Sequence, residues 1–445
     1  VDLTGLIPSF GNVAFTLIAF VVALTIIVAI HEYGHYIIGR ISGIKADVFS
    51  IGIGPVLAKK TDRHGTQWQI AALPVGGFVK FRGDANAASA GVDEEAMEEL
   101  SPEEKRHTMH GAPLWARAAT VAAGPIFNFV LSAIIFFAMA FYTGIATDPL
   151  TVEDLAPVPG LEELQPGDQI LSIGGQETPP LDSMAGYVET LPQESPVTYT
   201  VLRDGREVTL EAIHPYPPYV SSVTPQSAAA DAGLQEGDLI ETVNGDPVAT
   251  FEQLRQIVGN GDGETLTLGV ARDGEIRDVT LTPRRVDLPL PDGGFETRWL
   301  IGVSGGLIFD PETRSPTVGE AISTGVGQVG YIISSSISGL WHMITGAISS
   351  CNLRGPIGIA ETSGAAASQG VDSFIWFIAV LSTAVGLLNL FPIPVLDGGH
   401  LVFHAYEAVA GKPPSDRAMR ILLTVGLALI LSIMVLGVTN DLFCP

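Results

Sequence analysis

The stretch NVAFTLIAFVVALTIIVAI, residues 12–30, runs without a charge into His31-Glu32-Tyr33-Gly34-His35. A run of that length is about enough to carry a helix across a bilayer core, so the five residues after it are expected at the end of a membrane-spanning helix. Residues four apart share a helix face. His31 and His35 can therefore hold one zinc ion through neutral imidazoles, with Glu32 beside them within reach of a water that the ion activates. Glu32 is the candidate general base and, in the return direction, general acid. Imidazoles and a carboxylate are costly to place in lipid, and an ionisable cluster at that depth points to a functional site. The bland alternative is a helix end whose polar residues emerge into interfacial water.

At 445 residues and 47% apolar content, the chain is larger than one soluble domain and too apolar to consist only of soluble domains. Four segments are long and apolar enough to span a bilayer: 12–30, 118–142, 373–391 and 420–438. The first lacks a basic leader and carries the histidine pair, so it is expected to be retained rather than cleaved as a signal peptide. Lys and Arg residues concentrate between the first two spans, from Arg40 to Arg117, and between the last two, at Lys412, Arg417 and Arg420. By the positive-inside rule those loops are cytoplasmic, while both termini and residues 143–372 lie outside. The formal charge of −25 sits mostly in the middle segment, which argues against a nucleic-acid partner.

That segment repeats itself. Leu164-Gln165-Pro166-Gly167-Asp168-Gln169-Ile170 recurs as Leu234-Gln235-Glu236-Gly237-Asp238-Leu239-Ile240, and Arg203-Asp204-Gly205 recurs as Arg272-Asp273-Gly274. A period of about seventy residues fits two small domains rather than a solenoid. Gly-Asp turns, alternating strands and Asp-Gly hairpins make each copy β-rich. The pair resembles tandem PDZ domains, most clearly in the second copy, where Val223-Thr224-Pro225-Gln226-Ser227-Ala228-Ala229 precedes Ala232-Gly233-Leu234. PDZ domains capture extended peptides at a sheet edge. A pair of structural β domains without a peptide ligand is the other reading.

Two histidines leave a zinc site incomplete, and the third span supplies a further donor in Asn389-Leu390-Phe391-Pro392-Ile393-Pro394-Val395-Leu396-Asp397-Gly398-Gly399-His400. Pro392 and Pro394 break the helix, and the glycines allow close backbone approach and a new helix start. Irregular backbone at membrane depth is tolerated where it lines a protein cavity. Asp397 as third ligand leaves a fourth position open, the mark of a catalytic site; read without the histidines it would be a helix N-cap. His400 and His404 are read as interfacial or supporting residues. In the first cytoplasmic loop, 68–73 and 78–81 flank Pro74-Val75-Gly76-Gly77 and predict a hairpin with an apolar edge. Such an edge can pair with a substrate strand, which matters because a helix hides its peptide bonds.

His31-Glu32-Tyr33-Gly34-His35 in a first span, Asn389 to Gly399 in a third, Leu73 to Lys80, Gly124-Pro125-Ile126-Phe127-Asn128 and the exterior repeat together resemble the site-2 protease family of intramembrane zinc metalloproteases. Within it the likeness is to the bacterial regulator-of-sigma-E protease type, over essentially the whole chain. The resemblance implies zinc (Zn2+) as cofactor, His31, His35 and Asp397 as ligands, and Glu32 as catalytic acid/base. It implies Asn389 as a catalytic residue that positions the scissile segment or its oxyanion. Gly76, Gly77, Phe78, Val79 and Lys80, with Pro392 and Pro394, form the expected substrate-binding surface. The implied partners are the lipid bilayer, single-span substrates such as an anti-sigma factor, and signal-peptide remnants. An upstream site-1-type protease would act indirectly by trimming those substrates. The implied location is the bacterial inner membrane.

The expected fold is a multi-pass α-helical membrane protein with four spans, a zinc site in the bundle, a membrane-associated β-hairpin and tandem extracytoplasmic PDZ-like α+β domains. The boundaries are 1–117 (first span and hairpin loop), 118–145 (second span), and 146–215 and 216–286 (the repeated domains). Residues 287–372 are expected as linker and interfacial amphipathic helices, 373–400 as the third span and 401–445 as the cytoplasmic turn and fourth span. Cys351 and Cys444 both fall outside, with their pairing open. Two rival classes remain: a non-catalytic membrane adaptor, which would have lost Glu32 or Asp397, and a transporter, which would show inverted repeats among its spans.

Overall fold

In the computed structural model, residues 10–84, 97–98, 100–180, 184–224, 227–290 and 294–444 are described. The chain divides into two compact units, one built from 1–138, 320–341 and 350–444, the other from 139–319 and 342–349. Pro225 and Gln226 of the second repeat, and residues 93–96 and 99 of a charged stretch in the first loop, Asp93 to Glu104, lie outside the described residues.

In the first unit, α1 spans Phe10–Ile41 without interruption. The histidine pair was expected at the end of the helix, yet the helix runs on past His35 to Ile41, because Tyr36, Ile37 and Ile38 continue the apolar pattern. α2 (Leu114–Thr143) packs against it where Gly34 meets the backbone of Ala123; a Cβ there would lie 2.6 Å from the Ala123 carbonyl oxygen. Further on come α3 (Val318–Ile344), α4 (Pro356–Ser368), α5 (Val371–Leu390), α6 (Asp397–Ala410) and α7 (Asp416–Phe443). Among the described residues four helical stretches are long and apolar enough to cross a membrane: Val13–Ile41, Leu114–Thr143, Val371–Leu390 and Arg417–Phe443. α5 ends at Leu390, and Phe391–Leu396 is non-helical before α6 starts at Asp397. The break falls where Pro392 and Pro394 have no N–H to continue the ladder, at the end of the expected span 373–391 and within the wider segment 373–400. Ser132 and Ser382 tie α2 to α5: Ser132 Oγ donates to the Ala379 carbonyl at 2.7 Å and Ser382 Oγ to that of Asn128 at 2.9 Å.

β1 (Ala46–Thr61) and β2 (Gln67–Phe81) follow α1. The expected pairing of 68–73 with 78–81 is not what forms. β1 lies between those two segments: Val48 to Ile51 lie along Gln67 to Ile70, and the same stretch pairs with Gly77 to Lys80 on its other side. The outer half of β1 closes the hairpin through Lys59↔Gln69 and Thr61↔Gln67. Apolar patterning pairs neighbours across Pro74–Gly77 and carries no sign that an earlier segment can pair with both. Cys351 and Cys444 form a disulfide, with Cα atoms 5.7 Å apart.

The second unit holds two modules of like build. The first has a sheet ordered 176–177, 169–173, 197–203, 206–212, with a helix at Met184–Thr190. The second repeats it as 246–247, 239–243, 266–272, 275–281, with a helix at Phe251–Asn260. The sequence repeat has a physical basis. Asp168 and Asp238 are buried, each receives two N–H groups from its arginine, and each accepts a backbone N–H from Gln165 or Gln235. Residues 287–314, expected as linker, instead return to both modules: Val303–Gly305 pairs with 220–223, Phe309–Pro311 with 152–155, and Thr313–Arg314 with 145–146. Ile301 joins the second core, and Ile308 and Phe309 the first. The boundaries 146–215 and 216–286 therefore omit strands that each module needs. Local patterning does not reveal partners more than eighty residues away.

Candidate active site

His31 and His35 lie one turn apart on α1, and the break between α5 and α6 brings Asp397 to them. The two Nε2 atoms are 3.2 Å apart, and Asp397 Oδ2 is 3.1 Å from His31 Nε2 and 3.5 Å from His35 Nε2. Three donors around a tetrahedral zinc, with bonds of about 2.0–2.1 Å, sit roughly 3.3 Å from one another. The triangle has that size. Oδ2 of Asp397 is buried with no hydrogen bond, although two imidazoles face it. Converging lone pairs left without protons between them suit a cation, so the residues present fit zinc.

The surroundings set the tautomers. His35 Nδ1–H donates to the Thr120 carbonyl at 2.8 Å, which leaves Nε2 free to ligate. His31 Nδ1 lies 3.3 Å from the Asn128 side-chain amide, whose Oδ1 is otherwise buried without a partner. Turning that amide over gives His31 Nδ1–H an acceptor, satisfies Oδ1 and frees His31 Nε2 in the same way. A Cβ on Gly124 would fall 2.4 Å from His35 Nε2 and 2.8 Å from His31 Cε1, so only glycine lets α2 pass behind the pair. Reading the sequence by itself gave Thr120, Gly124 and Asn128 no role; an asparagine inside an otherwise apolar span was the available signal.

A cavity of about 340 Å³ opens over the triangle, lined by Glu32, Asn389, His400 and His404 as well as the three donors. Gly77, Phe78 and Val79 form its β wall. A Cβ on Gly77 would come within 3.1 Å of Glu32 Cγ, so this glycine lets the strand lie against the glutamate. Residues 77–79 pair with β1 on one side and line the cavity on the other. Asn389 Nδ2 donates to Val385 O at 3.0 Å while its side chain lines the cavity. Gly76, Lys80, Pro392 and Pro394 are not among its lining residues: Gly76 faces Ile53, Pro392 is exposed, and Pro394 packs on Gly426 of α7.

Long apolar helices around a His-His-Asp triangle with an adjacent glutamate define a membrane metallopeptidase. The profile of Peptidase family M50 matches residues 19–433, and the chain belongs to that family, the site-2 proteases. It is 35% identical over 433 residues, covering 96% of this chain and 95% of the relative, to a protein of Agrobacterium fabrum that carries the name zinc metalloprotease. It is 32% identical to the regulator of sigma-E protease RseP of Salmonella typhimurium, over 97% of this chain and 99% of the relative. The chain is accordingly a site-2-type zinc metalloprotease, a hydrolase with zinc as its cofactor.

Proposed function

We propose that this enzyme cuts peptide bonds in or beside the transmembrane helix of single-span proteins already trimmed outside the membrane. The observation that carries the reading is the His31–His35–Asp397 triangle, with Glu32 and the 77–79 edge facing the same cavity. Zinc, when bound, supplies Lewis acidity toward water and a peptide carbonyl at neutral pH. His31, His35 and Asp397 hold it. Glu32 takes the proton from the attacking water and returns it to the leaving amine. A substrate segment unwound from its helix adds as a strand to the 77–80 edge, which presents its peptide bond to Glu32. Asn389 positions the carbonyl oxygen or the segment that bears it.

By analogy with the relative named for sigma-E regulation, substrates include a membrane-bound anti-sigma factor, together with signal-peptide remnants. The two β modules act as tandem PDZ-like domains that exclude untrimmed substrates. The proposed setting is the inner membrane, with the active site toward the cytoplasm and the modules and both termini periplasmic. The Cys351–Cys444 disulfide supports this placement, since such bonds persist in oxidising compartments.

The test is metal content and cleavage together, on purified full-length protein with a trimmed single-span substrate, with and without phenanthroline. About one zinc per chain and chelator-sensitive cutting is the expected result. Zinc without cutting of several trimmed substrates would favour the adaptor reading.

A further inference from the structure

A second recess lies where the end of α1 meets the β1–β2 hairpin. It has a volume of about 310 Å³ and is lined by Tyr36, Arg40, Lys45, His64, Thr66 and His107, with backbone from 43–46. We propose that this recess binds a phosphate group, supplied by the headgroup of an anionic phospholipid at the membrane edge.

Four cationic or imidazole side chains reach it from three separate parts of the chain: the end of α1, the hairpin turn and the segment before α2. A single basic residue at a helix C-terminus needs no ligand, because it complements the free carbonyls. Convergence of three segments on one concave space is a different arrangement. Arg40 donates one N–H to Tyr36 Oη at 3.3 Å and another to His64 Nε2. His64 Nε2 faces that N–H as the acceptor, a weak partner for a guanidinium that matches phosphate as a two-pronged donor. Lys45 is exposed, and among the described residues no carboxylate pairs with its ammonium. His107 is anchored by its Nδ1–H to the Gly43 carbonyl at 2.7 Å.

Among the described residues, the nearby carboxylates are occupied elsewhere. Asp62 accepts from His64 N at 2.8 Å, Thr66 N at 3.0 Å, Trp68 Nε1 at 3.1 Å and Tyr36 Oη at 3.2 Å, and it is not among the lining residues. Glu104, within electrostatic range of Lys45, caps its own helical turn through Ser101. The recess is left with a surplus of donors and of positive charge. Its place completes the argument and rests on reading α1 as a span: Arg40 and Lys45 flank the point where the apolar stretch Val13–Ile41 ends. Basic residues there meet lipid phosphates. The turn that supplies His64 belongs to the sheet whose 77–79 segment lines the catalytic cavity, so a bound phosphate would steady the wall on which substrate is proposed to pair.

The experiment uses the full chain in nanodiscs and compares immobilisation of spin-labelled phosphatidylglycerol with that of phosphatidylcholine. Wild type is set against Arg40→Gln/Lys45→Gln and against Lys59→Gln/Lys60→Gln, which removes equal charge elsewhere on the hairpin. Selective retention of phosphatidylglycerol, lost by about five-fold per charge in the first variant and kept in the second, supports the proposal. Lys45→Glu, at an exposed position, serves if the double variant fails to fold, and it must weaken retention too. In detergent, protection of wild type but not Lys45→Glu by inorganic phosphate over chloride at equal ionic strength, without lipid selectivity, would support the phosphate site with a soluble source. Equal losses in both double variants, or no selectivity for lipid or phosphate, would overturn it.

Discussion

Asp238 and Asp397 are both aspartates taken largely out of water, but their surroundings treat them in opposite ways. Asp238, like its repeat counterpart Asp168, faces an arginine with paired N–H donors at 2.6 and 2.7 Å and accepts a backbone N–H at 2.8 Å. Asp397 faces two imidazoles and keeps one oxygen buried without a hydrogen bond. A saturated buried carboxylate fixes a turn; an unsaturated one retains a lone pair for a cation. The first kind belongs to the architecture of the repeated β modules and the second to the unit that holds the long apolar helices.

Changing the unsaturated set gives the largest effects. Asp397→Ala is expected to lose zinc and all measurable cleavage. Glu32→Gln keeps zinc but lowers cleavage by at least the roughly 10²–10⁴-fold typical of a lost general base. Metal analysis beside single-turnover cleavage separates the two, and a Glu32→Gln protein that still cut at the wild-type rate would remove Glu32 from the mechanism. Changing the saturated set should do the reverse. Arg272→Ala strands the Asp238 carboxylate in a buried site, at a cost of about 3–5 kcal/mol. Limited proteolysis should then open the second module while zinc content stays at the wild-type level. Loss of zinc in Arg272→Ala would show that the two kinds of aspartate are not independent.

Asn128 tests a finer division within the membrane unit. If its amide oxygen fixes the His31 tautomer, Asn128→Ala lowers zinc affinity about 10–100-fold, and Asn128→Asp, which keeps an acceptor, restores most of it. A packing role alone predicts that the two variants behave alike in a zinc competition titration.

The parts legible in the sequence are those written locally. His31, Glu32 and His35 declare themselves through helical spacing inside an apolar run, and Asp397 through prolines that break a span. Asp168 and Asp238 announce the repeat because a Gly-Asp turn recurs with its arginine at nearly the same distance. What stayed hidden depends on contacts remote along the chain. Residues 46–51 insert between two strands that looked like partners, 303–311 returns to strands laid down far earlier, and Thr120 offers only a main-chain carbonyl, which no side-chain pattern records. The Cys351–Cys444 bond likewise needed the fold to bring the two ends together.

Asp62 sharpens the comparison from within the membrane unit, because there a saturated carboxylate serves architecture rather than metal. Its slight burial would raise its pKa, but the hydrogen bonds from Trp68, His64, Thr66 and Tyr36 outweigh that and hold it down at about 2. The folded pKa is depressed, so its stabilising contribution is complete above the ordinary carboxylate value and disappears as pH falls through about 2. The hairpin turn should therefore stay docked on α1 from neutral pH down to about 3. Asp62→Asn removes the charge at every pH and should give a small, pH-independent loosening of the turn, read as faster amide hydrogen exchange at His64 and Thr66. Should wild type loosen near pH 5 instead, the titrating group is not Asp62, and the saturated class does not extend to this turn.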